Sequence, residues 1–187
     1  YETQLCKTGH NFYSMTVDRG KKWNKEQVEL PENYHVLPLN EIPAYIDFDF
    51  ILVQSKFWQY QLMTQINQNM ELPVVVLEHT TPTPQTIKPE QYTQMQNMIG
   101  NVNVFISKYS MDQWGITHNT KVINHGLDTE VFQNNQLEKK PHVLTVANDF
   151  INRDYCLNFS GWQRVTGNLN TRVVGDTKGL SEPASST

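Results

Sequence analysis

The sequence predicts an α/β protein built on a parallel sheet, and three observations carry that prediction. Short apolar runs of strand length alternate with stretches of helical length. The run LPVVVLEH (72–79) is rich in β-branched residues, the pattern of a strand buried on both faces of a parallel sheet. The stretch KPEQYTQMQNMIG (88–100) carries Pro89 near its start and Gly100 at its end, the asymmetry expected of a helix.

Taken in order, YETQLCKTG reads as the last turns of a helix stopped by Gly9. A chain that opens inside a helix is expected to be a piece of a longer one, and the closing SEPASST completes no element either. HNFYSMTV alternates and is aromatic, as a strand would be. YIDFDFILVQ (45–54) predicts a strand over 47–53. SKFWQYQLMTQINQNM (55–70) predicts a helix with Ser55 as N-cap and with Phe57, Leu62, Ile66 and Met70 near one face. The strand over 73–78 follows, then the Thr/Pro loop TPTPQT and the helix over 88–100. VNVFISKY supplies a strand over 102–107, SMDQWGI a short helix, and TKVINHG a strand over 120–124.

After Phe132 the polar QNNQLEKKP (133–141) reads as a linker. HVLTVAND, YCLNFSGWQRVTG and NTRVVGD then restart the alternation as strand, helix and strand. The expected organisation is one unit over 1–132, a linker over 133–141 and a second unit beginning at 142 and running to 187. Crossovers between parallel strands are right-handed, and ligands bind beyond the strands' carboxyl ends. That rule directs attention to EHTTPTP, SKYS, NHGLD, ANDFINRD and GDTKG.

Composition narrows the functional classes. The chain has 187 residues, enough for one domain or two small ones, with 38% hydrophobic and 18% charged residues. Its formal net charge of −4 supplies no basic field for nucleic acid. Trp23, Trp58, Trp114 and Trp162 are scattered rather than gathered into a stacking platform. Cys6 and Cys156 fit no redox or metal spacing. No apolar run approaches the ~20 residues that span a bilayer, and the opening is no signal peptide, so a cytoplasmic setting is the expectation. His10, His35, His118, His125 and His142 show no metal-ligand spacing and read as surface or edge residues. There is neither a P-loop nor a G-x-S-x-G elbow.

The ordered set VFISKYSMDQWGI, KVINHGLDTEVF and HVLTVANDFINRDY resembles the GT-B glycosyltransferases. The nearest group is the large retaining one that includes sucrose-phosphate-synthase-like and polysaccharide-building enzymes. VINHGLDTEVF matches the stretch that closes that family's amino-terminal domain at Val122, Ile123, Gly126, Asp128 and Phe132, with Asn124 and His125 where Pro-Asn is usual. VANDFINRD puts Asn148 at the family's donor-binding Arg and Arg153 at its Lys. The resemblance implies a Rossmann-like amino-terminal acceptor domain followed by the beginning of a second Rossmann-like, donor-binding domain. It also implies hexose transfer from a nucleotide-diphosphate sugar to a glycan, lipid or small-molecule hydroxyl, with retention and with no metal or other cofactor. The family's Glu-x7-Glu segment for ribose and sugar is not within the sequence, so the chain by itself is expected not to turn over. The alternative is a non-catalytic sugar- or nucleotide-binding α/β module, which Asn148 favours.

His79, at the end of its strand, is the implied catalytic residue, hydrogen-bonding the donor sugar or the charge developing near the anomeric carbon. The plainer reading is a loop histidine held by Thr80 or Thr81. Arg153 offers a planar fork of donors to a diphosphate, against pairing with Asp149 or Asp154 on a solvated loop. Asn148 brings an amide without charge to the same phosphates. Gly126 belongs to the same cleft and reads as the φ-positive residue of a hinge turn, and Asp128 as a local cap. Glu78 reads either as a polar anchor beside His79 or, more commonly for a single strand-flanking acid, as a solvated one.

Overall fold

The computed structural model describes residues 2–15, 23, 25, 28–38, 41–82, 87–133, 136 and 138–175. Part of the Thr/Pro loop (83–86), the end of GDTKG and the closing SEPASST lie outside the described residues. Contacts divide the chain into two units, Tyr1–Asp49 with Gly126–Phe132 and Phe50–His125 with Gln133–Thr187.

In the first unit, helix α1 (Glu2–Cys6) leads to strands β1 (Phe12–Met15) and β2 (Tyr34–Leu37), paired in parallel from Phe12↔Tyr34 to Met15↔Leu37. The expected helix stop is there: Gly9 sits at φ 83°, a conformation that glycine adopts without a Cβ penalty. The sequence pattern hides β2, because YHVL has four residues and Pro38 ends any alternation. Asn33 ties the unit together, its Nδ2 donating to the carbonyls of Cys6 at 2.8 Å and His10 at 2.7 Å. Tyr13 stacks on His35 across the strand pair with ring centroids 4.7 Å apart. Asp128 caps its own turn, Oδ1 accepting from the amides of Glu130 at 3.1 Å and Val131 at 3.4 Å, and it pairs with Lys7.

The second unit holds a four-stranded parallel sheet in the order β3 (Ile51–Val53), β4 (Val74–Glu78), β5 (Val102–Phe105) and β6 (Thr120–Val122). Helices α2 (Trp58–Met70), α3 (Pro89–Gln96) and α4 (Lys108–Trp114) connect them. The pairings Val53↔Val76, Val76↔Asn103 and Glu78↔Phe105 put these side chains on one face of the sheet. Both hydrophobic clusters lie there: Val53, Met63, Val74 and Val76, and then Met95, Phe105, Trp114 and Ile116. With strands in sequential order, crossovers of one hand place every helix on the same side, and Met63 of α2, Met95 of α3 and Trp114 of α4 all pack on this face. On the opposite face Leu77 is buried, whereas Leu52, Val75, Val102 and Val104 are only half-buried.

Three local expectations need correction. Helix α2 starts at Trp58, after Phe57 at φ 67°, and Ser55 donates to the Lys56 carbonyl instead of capping. Its deepest residue is Met63, while Phe57, Leu62, Ile66 and Met70 are half-buried. Helix α3 ends at Gln96, and Gly100 serves close packing: a Cβ there would lie 2.5 Å from the Val74 carbonyl oxygen.

A separate two-stranded parallel sheet pairs β7 (Val143–Val146) with β8 (Thr171–Val174). The single helix expected between them is two, α5 (Asp154–Leu157) and α6 (Phe159–Thr166), broken at Asn158 with φ 54°. Asp154 holds the break, accepting the Ser160 amide at 2.7 Å and its hydroxyl at 2.8 Å. Ala147, Phe150, Phe159 and Val173 form the core, and Trp162 Nε1 donates to Thr145 Oγ1 at 2.9 Å. Among the described residues no helix is long and apolar enough to cross a membrane.

Candidate functional site

The carboxyl ends of β3, β4 and β6 deliver Gln54, His79 and His125 to one place. His79 Nε2 lies 3.3 Å from Gln54 Oε1, and His79 Nδ1 lies 3.3 Å from His125 Nε2. The two imidazole rings are 5.5 Å apart, centre to centre, and inclined at 54°. An amide oxygen only accepts, so a hydrogen on His79 Nε2 would serve Gln54, and which of His79 Nδ1 and His125 Nε2 donates depends on the tautomers of the two rings. His79 is half-buried and His125 exposed, so the pair faces a solvent-accessible region at the end of the sheet where open α/β folds bind ligands.

Beneath His79 lies a buried polar layer. Glu78 is 5% exposed and Lys56 3%, with Lys56 Nζ 4.0 Å from Glu78 Oε2. Glu78 Oε1 accepts the Thr80 hydroxyl at 3.1 Å, while Oε2 has no hydrogen-bond partner. Lys56 donates to the Met98 carbonyl at 2.8 Å and stands 5.3 Å over the Trp114 ring. The Thr80 carbonyl accepts from Ser110 Oγ at 3.0 Å and from Trp114 Nε1 at 2.8 Å. Burial pushes the Glu78 carboxyl above its ordinary range, against the pull of the Lys56 ammonium and the Thr80 hydrogen bonds. Burial pushes the Lys56 ammonium below its own range, against the attraction of Glu78. The solvated Glu78 expected from sequence is therefore a buried one.

Gly126 also departs from expectation. Its φ lies outside the left-handed region, and a Cβ there would meet nothing within 4 Å. Its glycine character is not required by the turn. Asn148 and Arg153 share the loop that follows β7, and both are exposed. Arg153 is the residue before α5, its amide bonded to the Asp149 carbonyl at 3.1 Å. Of the acids expected as its alternative partners, Asp149 accepts from Asn152 at 2.7 Å and Asp154 from Ser160 at 2.8 Å.

Sequence reasoning missed Gln54, His125 and Lys56 as participants. The carboxyl-end rule had pointed to NHGLD, which holds His125, but not to the segment after β3 that holds Gln54. Nothing in the sequence marked Lys56, because a lysine next to a strand end is ordinarily solvated. An open groove of about 530 Å³, lined by Tyr60, Met63, Val74, Gly100 and Asn119 among others, opens at the amino ends of the same strands. It lies at the wrong edge of the sheet for the ligand rule. Among the described residues no group of three or more His, Cys, Asp or Glu is placed to hold a metal ion. A scan against protein-family models, a search of curated proteins and a search of solved structures each found no match.

Proposed function

We propose that the chain is part of a GT-B-type glycosyltransferase that moves a sugar from a nucleotide-diphosphate donor to a hydroxyl acceptor. The observation that carries this reading is the oriented His79, held by Gln54 and His125 at the carboxyl end of a parallel sheet. An imidazole held in one orientation can accept or donate a hydrogen bond to a sugar hydroxyl and steady charge near the anomeric carbon. The second strand–helix–strand segment supplies Asn148 and Arg153 after β7, where the leaving diphosphate would be bound by an amide and a guanidinium. No metal is assigned to the step, and charge on the diphosphate is met by cationic side chains and backbone amides. Both described cysteines are free, which agrees with a reducing, cytoplasmic setting.

The test uses the whole natural protein that carries this sequence. Against UDP-glucose and GDP-mannose, His79→Ala is expected to keep nucleotide binding and lose transfer. Arg153→Ala is expected to weaken nucleotide binding by about 1.5–3 kcal/mol, or roughly ten- to a hundredfold. Titration calorimetry and product release measure the two effects separately. Binding of the nucleotide sugar without transfer by the unaltered protein would favour the second reading, a non-catalytic binding module. Asn148, in place of a second cation, supports that alternative.

A further inference from the structure

Glu78 and Lys56 sit together where a charged pair is expensive. Both are almost wholly buried, they approach no closer than 4.0 Å, and Glu78 Oε2 is left without a hydrogen bond. Apolar residues of similar volume commonly serve stability as well or better at such a position. Stability alone does not account for the pair, but its connections do. Glu78 ends β4 and His79 is the next residue, followed by Thr80. Thr80 is clamped at two atoms: its hydroxyl donates to Glu78 Oε1 at 3.1 Å, and its carbonyl accepts from Ser110 at 3.0 Å and Trp114 at 2.8 Å. Lys56 anchors the far side of the carboxylate, tied to the Met98 carbonyl at 2.8 Å. Both neighbours of His79 are thus immobilised, one by the sheet and one by this buried network.

We infer that Glu78, acting through the Thr80 hydroxyl, is a positioning residue that holds the His79 ring toward Gln54 and His125. Its service to a donor sugar rests on the glycosyltransferase reading, whereas the positioning itself does not. The prediction separates hydrogen bonding from charge, because a glutamine keeps an accepting oxygen and a leucine does not.

The experiment compares two variants of the whole natural protein, Lys56→Met/Glu78→Leu and Lys56→Met/Glu78→Gln. Both lack the ion pair. The first readout is the ring-nitrogen NMR spectrum of ¹⁵N-labelled histidine, with His79 assigned by His79→Ala. The leucine variant is expected to fold, with a thermal midpoint near that of the parent, yet to show His79 averaged between tautomers. The glutamine variant is expected to restore a single tautomer. The second readout is transfer from UDP-glucose, whose kcat is expected to fall about a hundredfold in the leucine variant with a smaller change in KM. A single, parent-like His79 tautomer in the leucine variant would overturn the proposal. Should that variant not fold, Thr80→Val removes the Thr80 hydroxyl alone, and an unchanged His79 spectrum there overturns the proposal equally. Absence of transfer in the parent protein would defeat the glycosyltransferase reading and leave the NMR comparison to decide the positioning.

Discussion

Two glycines show how differently one residue type is used along this chain. Gly100 has no room for a side chain, since a Cβ would come within 2.5 Å of the Val74 carbonyl oxygen and 3.2 Å of Val76. Gly100→Ala is therefore expected to cost about 1–3 kcal/mol, read from urea denaturation. Gly126 has nothing within 4 Å and no left-handed φ, so Gly126→Ala should fall within about 0.5 kcal/mol of the parent. Glu78 carries the pH dependence at this scale. Burial, the largest influence, raises its folded pKa above the unfolded value, so the folded state holds the proton more tightly. Its contribution is fully present below the unfolded pKa and is lost as pH rises through the folded one. Urea midpoints measured upward from the ordinary carboxylate range should decline with pH, and Glu78→Gln should flatten that decline. An unchanged slope in the variant would assign the effect to other groups.

Helix ends are decided by which side chain reaches which amide. Ser107 opens α4 from extended backbone, φ −157° and ψ 158°, and its Oγ accepts the Ser110 amide at 3.0 Å. Ser55 satisfies the same sequence rule before α2, but the helix begins three residues later and Ser55 bonds the Lys56 carbonyl. Ser107→Ala should thus cost about 1 kcal/mol and Ser55→Ala close to nothing, by circular dichroism melts of the paired variants. An equal loss in both would mean that capping is not what Ser107 contributes. At the other end of α4, Gly115 takes φ 64° and its amide closes onto the Met111 and Asp112 carbonyls, a stop that is visible in the sequence. The break at Asn158 is not visible, because YCLNFSGWQRVTG contains no proline and the deciding hydrogen bonds come from Asp154, six residues before Ser160.

Across the whole chain, strand number and strand position set the order of local stability. Strands β4 and β5 each have a partner on both sides, while β3 and β6 are edges. Every strand of the β1–β2 and β7–β8 pairs is also an edge, and Leu144 and Val146 on β7 are 58% and 77% exposed. Amide hydrogen exchange should therefore be slowest in Val74–Glu78 and Val102–Phe105 and faster in both two-stranded sheets. Slower exchange in Val143–Val146 than in β4 would contradict this ordering.

The amino-acid sequence alone determined the alternation of strands and helices, because β-branched runs and helix stops act over a few residues. Val74–Glu78, Lys108–Trp114 and the turn at Gly9 follow directly from local pattern. It also marked His79 and the loop of Asn148 and Arg153, since position after a strand is itself local information. Only tertiary structure decided what those residues meet. The parallel sheet brings together Gln54, His79 and His125, which are far apart in sequence, and the same packing carries Lys56 beneath His79 to Glu78. Burial of a charge is a property of what surrounds it, and Glu78's partner Lys56 comes from the turn before α2, itself held by the Met98 carbonyl and over the Trp114 ring. No window of sequence around position 78 contains them.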